Sequence, residues 1–352
     1  MSVYNAERHL REAIESILSQ TFSDLEFVIV DDASTDSTTE ILRRYAKQDK
    51  RIRLARNASN LGLTRSLNIG LGLAQGEYIA RLDADDISLP DRLKLQTCFA
   101  DANPQVGAFG GAVEIIDEQG RFLGKTSVPS EHEALQAQLL VDNCFFHSTV
   151  MMRRRLVQRL GGYDERLPYA QDYELWWRLS RVARLAALPE ALVRLRFSGE
   201  SITGLYRQEQ LQSALEISLR AVRECLGGRL LHEEAYQRFW WACHKRYSRL
   251  RAGDIQRLHS LWELLDNHRG WRQVWRRRLL SLAYHLLKHQ RTTEGIQLLW
   301  ILMRRFGEPV EWCFLFKELA EAYVTTSRRW VKQPESLRKH TLRVEIRAAR
   351  HT

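Results

Sequence analysis

The segment Phe27 to Asp32 (FVIVDD) constrains the fold of this 352-residue chain more than any other. It is short, apolar and rich in β-branched residues, the pattern of a strand covered on both faces. Before it, residues Glu7 to Gln20 place Leu10, Ile14, Ile17 and Leu18 at the 3.6-residue period of an amphipathic helix. After it, Ser34 and Asp36 are N-cap residues for a helix with Ile41, Leu42 and Tyr45 on its inner face. Residues Arg51 to Asn57 alternate like a strand, and Leu63 to Ala74 read as a helix closed by Gly76. Residues Glu77 to Asp86 (EYIARLDADD) read as a strand running into acidic residues. Strand and helix alternating at this spacing predict a Rossmann-like, mostly parallel sheet flanked by helices, with right-handed crossovers. Ligands of such sheets sit outside the carboxyl ends of the strands. Asp31, Asp32 and Asp83 to Asp86 all fall at that edge. A first strand should precede Tyr4, where only Met1 to Val3 stand, so that strand is expected to be truncated.

The second half has a different character. Residues 1–200 carry 25 Lys/Arg against 28 Asp/Glu, a net of −3, whereas residues 201–352 carry 28 against 15, a net of +13. Eight of the ten tryptophans also follow residue 200. Past residue 205 the pattern is helical throughout, with Pro309 and Pro334 the only prolines and Gly227-Gly228, Gly253, Gly270 and Gly307 reading as breaks between helices. Trp275, Leu279, Leu282 and Leu286 share one face, as do Phe314, Leu315, Leu319 and Tyr323. The expected division is therefore an α/β domain over 1–204 and an all-α region over 205–352. In that region Arg272, Arg276, Arg277 and Arg278 stand beside Trp271 and Trp275, the composition of a helix lying on an anionic membrane surface. The plainer reading is a helical bundle with solvated arginine faces. No nucleic-acid motif accompanies the charge, so a nucleic-acid partner is not expected. Five scattered cysteines without a CxxC pair exclude a disulfide scaffold and a cysteine-based zinc site, and reduced thiols fit the cytoplasm. No uncharged apolar run reaches the ~18 residues that span a bilayer, and the first residues do not read as a signal peptide.

The residues able to carry chemistry are mostly carboxylates. Asp83 and Asp85 stand at i and i+2, so in an extended segment both reach one hard cation, Mg²⁺ or Mn²⁺. A solvated acidic turn ahead of Pro90 is the plain alternative. Asp31 and Asp32 end a buried strand where a helix begins, a place to accept hydrogen bonds from a nucleobase or ribose. A capping cluster would explain Ser34 and Asp36 there, but not Asp31 and Asp32. A dinucleotide fold would place G-x-G-x-x-G after the first strand, and Gly70-Leu71-Gly72 does not follow a strand.

Three stretches lie in one order. They are SVYNAERHLREAIESILSQTFSDLEFVIVDDASTDST, NLGLTRSLNIGLGLAQGEYIARLDADDISLPDRL and GGYDERLPYAQDYELWWRL. Together they resemble glycosyltransferase family 2, inverting nucleotide-sugar transferases of the GT-A fold, over residues 1 to about 204. The resemblance implies that Tyr4 lies near the uracil ring and that Asp32, with Asp31 beside it, reads the base. It makes Asp83 and Asp85 the metal- and ribose-binding DXD, and Asp172 the catalytic base. Arg81, two residues before the DXD, matches a common family residue able to pair with a neighbouring acid. His147 matches a position that faces the donor pocket. Three departures stand out: the truncated first strand, Gln171 in place of the acid before Asp172, and Leu195 to Ser201, which keep the Arg196 and final Ser of a family signature while replacing its Tyr and His. Taken alone, Asp172 also reads as a helix N-cap.

The resulting expectation is a metal-dependent inverting glycosyltransferase using Mg²⁺ or Mn²⁺. Its donor would be a nucleotide sugar, UDP-linked, and its acceptor a carbohydrate or lipid-linked saccharide, in synthesis of bacterial surface polysaccharide. It would work in the cytoplasm or at the inner face of the cytoplasmic membrane. The rivals are a nucleotidyltransferase and a binding protein that keeps the fold without activity.

Overall fold

The computed structural model describes residues 1–197, 206–251, 253–266, 269–289, 291 and 293–299. The chain divides into two compact units, Met1–Gly228 and Arg229–Thr352. The first unit thus includes the first helix of the region expected to be all-α.

The strand–helix alternation reads out directly in the first unit. Strand β1 is Ser2–Val3, helix α1 is Leu10–Leu18, β2 is Phe27–Asp31, α2 is Thr38–Gln48, β3 is Ile52–Arg56 and α3 is Leu63–Leu73. The three strands form one parallel sheet in the order β1-β2-β3, with Val3 opposite Asp31 and Asp31 opposite Arg56. β2 is central, which is why Phe27, Ile29 and Val30 are all buried. Because the strands run parallel, the residues that follow them (Tyr4, Asp32 and Asn57) emerge at one edge.

A second sheet holds β4 (Tyr78–Ala80), β5 (Ile87–Ser88), β6 (Val106–Ile116), β7 (Phe122–Thr126), β8 (Met151–Arg153) and β9 (Arg184–Arg196). Its order is β4-β8-β6-β9-β5, with β7 against β6. Only β6 and β9 pair in parallel here; the other pairs are antiparallel. The strand expected over Glu77 to Asp86 stops at Ala80, and the acidic residues occupy a loop in which the Asp86 amide donates to the Asp83 carbonyl at 3.4 Å. One buried cluster joins the two sheets: Ile29 of β2, Leu10 and Ile14 of α1 and Leu42 of α2 share it with Leu82, Val113 of β6 and Val193 of β9. That shared core sets the acidic loop beside the first sheet.

Helices α4 (Arg92–Ala102), α5 (His132–Leu139), α6 (Arg154–Arg159), α7 (Gln171–Ser180) and α8 (Arg207–Leu226) complete the unit. Ser218 of α8 donates to the Leu140 carbonyl at 2.6 Å, and Trp177 of α7 donates to Glu224 of α8 at 2.7 Å. The second unit contains helices Glu233–Cys243, Asp254–Arg257, His259–Asp266 and Arg269–Lys288. Its core is aromatic: Phe239 stacks on Trp275 with ring centroids 6.1 Å apart and meets Trp262 edge-on at 5.7 Å. Trp271 and Trp275 are buried here, so their rings serve packing and offer no aromatic face to a lipid surface. The side chains of Arg272, Arg276 and Arg277, and the face expected at Phe314 to Tyr323, lie outside the described residues. Among the described residues no helix is long and apolar enough to cross a membrane.

A cavity of about 760 Å³ lies between the first sheet and β4, lined by Phe27, Val28, Leu67, Gly70, Ile79 and Met151 among others. A Cβ on Gly70, inside α3, would meet only Val30 Cγ2, at 3.6 Å. Gly70→Ala should therefore stabilise the protein by about 1 kcal/mol, through helix propensity and added contact. A rise in the thermal unfolding midpoint checks this.

Candidate active site

At the carboxyl edge of the parallel sheet, Asp31 and Asp32 build the loops around them. Asp31 Oδ1 accepts from the Ser34 amide at 2.9 Å and Oδ2 from Thr39 Oγ1 at 2.6 Å, with Arg56 Nε 3.5 Å away. Asp32 Oδ1 accepts from Asn57 Nδ2 at 2.7 Å and the Leu61 amide at 2.8 Å, and Oδ2 from the Gly62 amide at 2.8 Å. Three of its roughly four lone pairs are thus spent on the 57–62 loop, leaving one for a ligand. Tyr4 is half exposed beside them. Asn5, absent from the sequence reading, fixes this corner: its Oδ1 accepts from the Thr35 amide at 2.8 Å, and its amide donates to Ser34 Oγ at 3.1 Å.

The acidic loop 83–86 is held by two buried arginines. Arg81, 3% exposed, pairs with Asp83. Its Nε and Nη2 find no hydrogen-bond partner among the described residues. Arg196 is 4% exposed and braces the loop from the other side. Its amide donates to Asp86 Oδ1 at 2.8 Å, its Nε to the Asp85 carbonyl at 2.9 Å, and its Nη2 to Glu12 Oε2 at 2.7 Å. Arg196 is thus spent on protein groups and braces the loop. Ser148 Oγ lies 2.9 Å from Asp83 Oδ2, also contacts Asp86 Oδ2, and accepts from the Asp83 amide at 3.0 Å. Burial first, then the negative charge of Asp83, pushes Asp85 up to about 6. Burial, then Asp83 and Asp85, pushes Asp86 up to about 8. Asp86 therefore keeps its proton near neutrality and hydrogen-bonds as an acid, which the sequence gives no sign of.

A divalent cation is the simplest relief for the crowding of Asp83 and Asp85. Among the described residues there is no cluster of three ligating side chains. Two carboxylates do suit Mg²⁺ or Mn²⁺, which keep water and phosphate oxygens as their other ligands. The two carboxylates leave a turn rather than an extended strand, since Ala84 and Asp85 are its central residues.

Asp172 lies in the first turn of α7, after Ala170, which is left-handed at φ +56°. Its Oδ1 accepts from the Tyr173 amide at 2.8 Å and its Oδ2 from Asn143 Nδ2 at 2.6 Å. Burial raises its pKa above the ordinary carboxylate range, while the Tyr173 amide, the Asn143 amide and the charge of Arg81 oppose the rise. His147 and Tyr163 connect this end to the acidic loop. His147, in a 3₁₀ turn, shares a 2.8 Å hydrogen bond with the Tyr163 hydroxyl. Burial and then Arg81 hold His147 far below its ordinary pKa, so it is neutral. Tyr163 in turn feels Arg81, Asp172 and Asp83. Arg81, Asp83, His147, Tyr163 and Asp172 therefore belong to one electrostatic neighbourhood. The Gly161-Gly162-Tyr163 turn is clamped to α3, where Asn68 accepts from the Tyr163 amide and donates to its carbonyl, both at 2.9 Å.

The chain has clear relatives among known proteins. The pattern of the family described as Glycosyl transferase family 2 matches residues 1–161. A glycosyltransferase of Haemophilus influenzae is 37% identical over 223 residues, covering 61% of this chain and 69% of that protein. The amylovoran biosynthesis glycosyltransferase AmsE of Erwinia amylovora is 31% identical over 206 residues, 57% of this chain and 76% of that protein. Among solved structures, S. aureus TarS 1–349 in complex with UDP-GlcNAc superposes with a TM-score of 0.54 at 19% identity, covering 87% of this chain and 90% of that one. The mannosyltransferase PcManGT from Pyrobaculum calidifontis, in complex with GDP-Man and Mn²⁺, gives 0.52 at 19% identity, covering 87% and 85%. The fold is GT-A.

Two outcomes test this geometry. Folded Asp86 retains a proton that the unfolded chain releases, so its contribution to stability falls as pH rises from about 4 to about 8. In EDTA, Asp86→Asn should flatten that fall, read as urea midpoints at about pH 5 and about pH 9. Ala33, left-handed at φ +62° next to Asp32, carries strain that glycine lacks. Ala33→Gly should stabilise by about 1 kcal/mol, measured in the same urea titration.

Proposed function

The chain belongs to glycosyltransferase family 2, and from that premise we propose that it transfers a sugar, with inversion, from a UDP-linked donor to an acceptor hydroxyl. The observation that carries the proposal is the electrostatic neighbourhood linking Arg81 and Asp83 to Asp172. It joins a place for a diphosphate to a carboxylate made basic by burial. Surface polysaccharide synthesis is the process in which the AmsE relative is named, and a carbohydrate or lipid-linked saccharide acceptor fits it. Peripheral membrane contact remains part of the proposal, carried by the charge of residues 201–352 rather than by the buried Trp271 and Trp275.

The chemistry assigns one task to each group. Tyr4 and the remaining lone pair of Asp32 face the nucleobase, with Asp31 holding the 34–39 turn that shapes the pocket. Arg81, buried and paired with Asp83, acts through its charge, placing a fixed positive group behind the diphosphate site. Mg²⁺ or Mn²⁺ bound by Asp85 and Asp83 would supply neutralisation of the charge that develops on the leaving nucleoside diphosphate. Asp172 takes the proton of the acceptor hydroxyl as that oxygen bonds to the anomeric carbon and the carbon–phosphate oxygen bond breaks. One base is enough for inversion, and α7 presents one; its amino-terminal dipole steadies the carboxylate before the proton arrives. Holding donor and acceptor in line supplies the rest of the acceleration.

Asp172→Asn should abolish transfer while UDP still binds in an Mn²⁺ titration; transfer at the normal rate would remove Asp172 from the role of base. Asp85→Ala should weaken UDP binding only when Mn²⁺ is present. The acid limb of the rate profile should lie above the ordinary carboxylate range, as the burial of Asp172 requires. Hydrolysis of a panel of UDP- and GDP-sugars with and without Mn²⁺ separates an active transferase from a binding protein, and identifies the nucleotide.

A further inference from the structure

The side chain that touches Asp172 belongs to no motif. Asn143 sits between α5 and the His147–Thr149 turn, and its Nδ2 donates to Asp172 Oδ2 at 2.6 Å. Its Oδ1 accepts from the Phe145 amide at 3.2 Å. That second bond decides which end of the amide faces the carboxylate. A flipped amide would set oxygen against oxygen and strand the Phe145 N–H. The backbone of Asn143 is held as firmly. Gln138 Nε2, on α5, donates to its carbonyl at 2.8 Å, and its amide donates to Asp142 Oδ1 at 2.9 Å. α5 is anchored in turn, with Leu135, Ala137 and Leu139 fully buried.

The result is a donor fixed before any substrate arrives. Asp172 has two oxygens with about two lone pairs each. The Tyr173 amide uses one on Oδ1 and Asn143 uses one on Oδ2. Among the described residues, Arg81, Tyr163 and the Cys144 thiol interact electrostatically with Asp172. Of these side chains and that of Asn143, only the Asn143 amide hydrogen-bonds to the carboxylate among the bonds described. Without it, the carboxylate could turn about χ2 and lose its line to the acceptor.

We propose that Asn143 is the positioning residue of the transfer reaction, locking the Asp172 carboxylate so that an open lone pair meets the acceptor hydroxyl. The inference rests on the reading of Asp172 as the base. Asn143 loses no proton and touches no substrate; the acceptor proton ends on Asp172.

The test compares Asn143→Ala and Asn143→Asp with wild type, using whichever sugar nucleotide the panel identifies as turned over. Removing the donor should lower kcat by about 10- to 100-fold, with UDP affinity in Mn²⁺ unchanged. The acid limb of the rate profile should move to higher pH in Asn143→Ala, and further in Asn143→Asp, which sets a second carboxylate against the first. A purely structural role would lower both variants' unfolding midpoints and leave the acid limb in place. Should Asn143→Ala fail to fold, Asn143→Asp carries the test, being matched in size. Turnover within twofold of wild type and an unmoved acid limb would overturn the proposal, provided Asp172→Asn is inactive. Activity in Asp172→Asn would instead overturn the base itself, which keeps the two failures apart.

Discussion

Three carboxylates within four residues repel one another, and a fold that half-buries Asp83 and Asp85 and buries Asp86 needs something to offset that repulsion. In this chain that need is met by Arg81 and Arg196, both nearly inaccessible, which approach the 83–86 loop from opposite sides. The compensation is incomplete by arrangement. Arg81 neutralises Asp83, the Arg196 amide reaches Asp86, and Asp85 is left to Coulomb repulsion. A loop in that condition gains from a cation. The same residues that make it costly to fold are the ones proposed to hold the cation.

The opposite wall of the site obeys a related logic. α7 carries Asp172 at its positive end, and Glu174 two residues on is buried between Arg178 and Arg220. Arg178 also donates to the Leu160 and Gly162 carbonyls, each at 2.7 Å. The helix is therefore held along its length by charge pairs and by the turn before it. Ala33 and Ala170, both left-handed, stand immediately beside Asp32 and just before Asp172. Strain of this kind persists only where neighbours over-determine the backbone, and here it sits next to Asp32 and close to Asp172, the two residues proposed to face substrate.

The local elements were legible in the sequence because each obeys one short-range rule. Leu10, Ile14 and Ile17 form a buried stripe on α1, and FVIVD is a two-faced strand. What was not legible depends on long-range pairing. Nothing local announces that β9 will run parallel to β6, or that the segment after Ala80 will leave the sheet and turn. The expected extended geometry of Asp83 and Asp85 failed for that reason. The bracing task of Arg196 was not legible because its bonding partners, Glu12, Asp85, Asp86, Asp117 and Glu118, are scattered through the sequence. Asn143 carried no signal at all, since an asparagine in a loop is ordinary until the residue it faces is known. The tryptophans of the second unit were ambiguous because the same residue type serves an aromatic core and a lipid interface equally well.

The brace at Arg196 also has a temporal side. The acidic loop and the arginine that pins it are separated by 110 positions, and that arginine closes the last strand of the sheet. As the ribosome delivers the polypeptide amino end first, the loop emerges long before its counterweight exists. A nascent chain can assemble the three parallel strands early, but its cleft stays unformed until β9 has cleared the exit tunnel. The contacts of Arg196 with Glu12 and Asp86 can therefore form only late in synthesis, after most of both sheets has emerged.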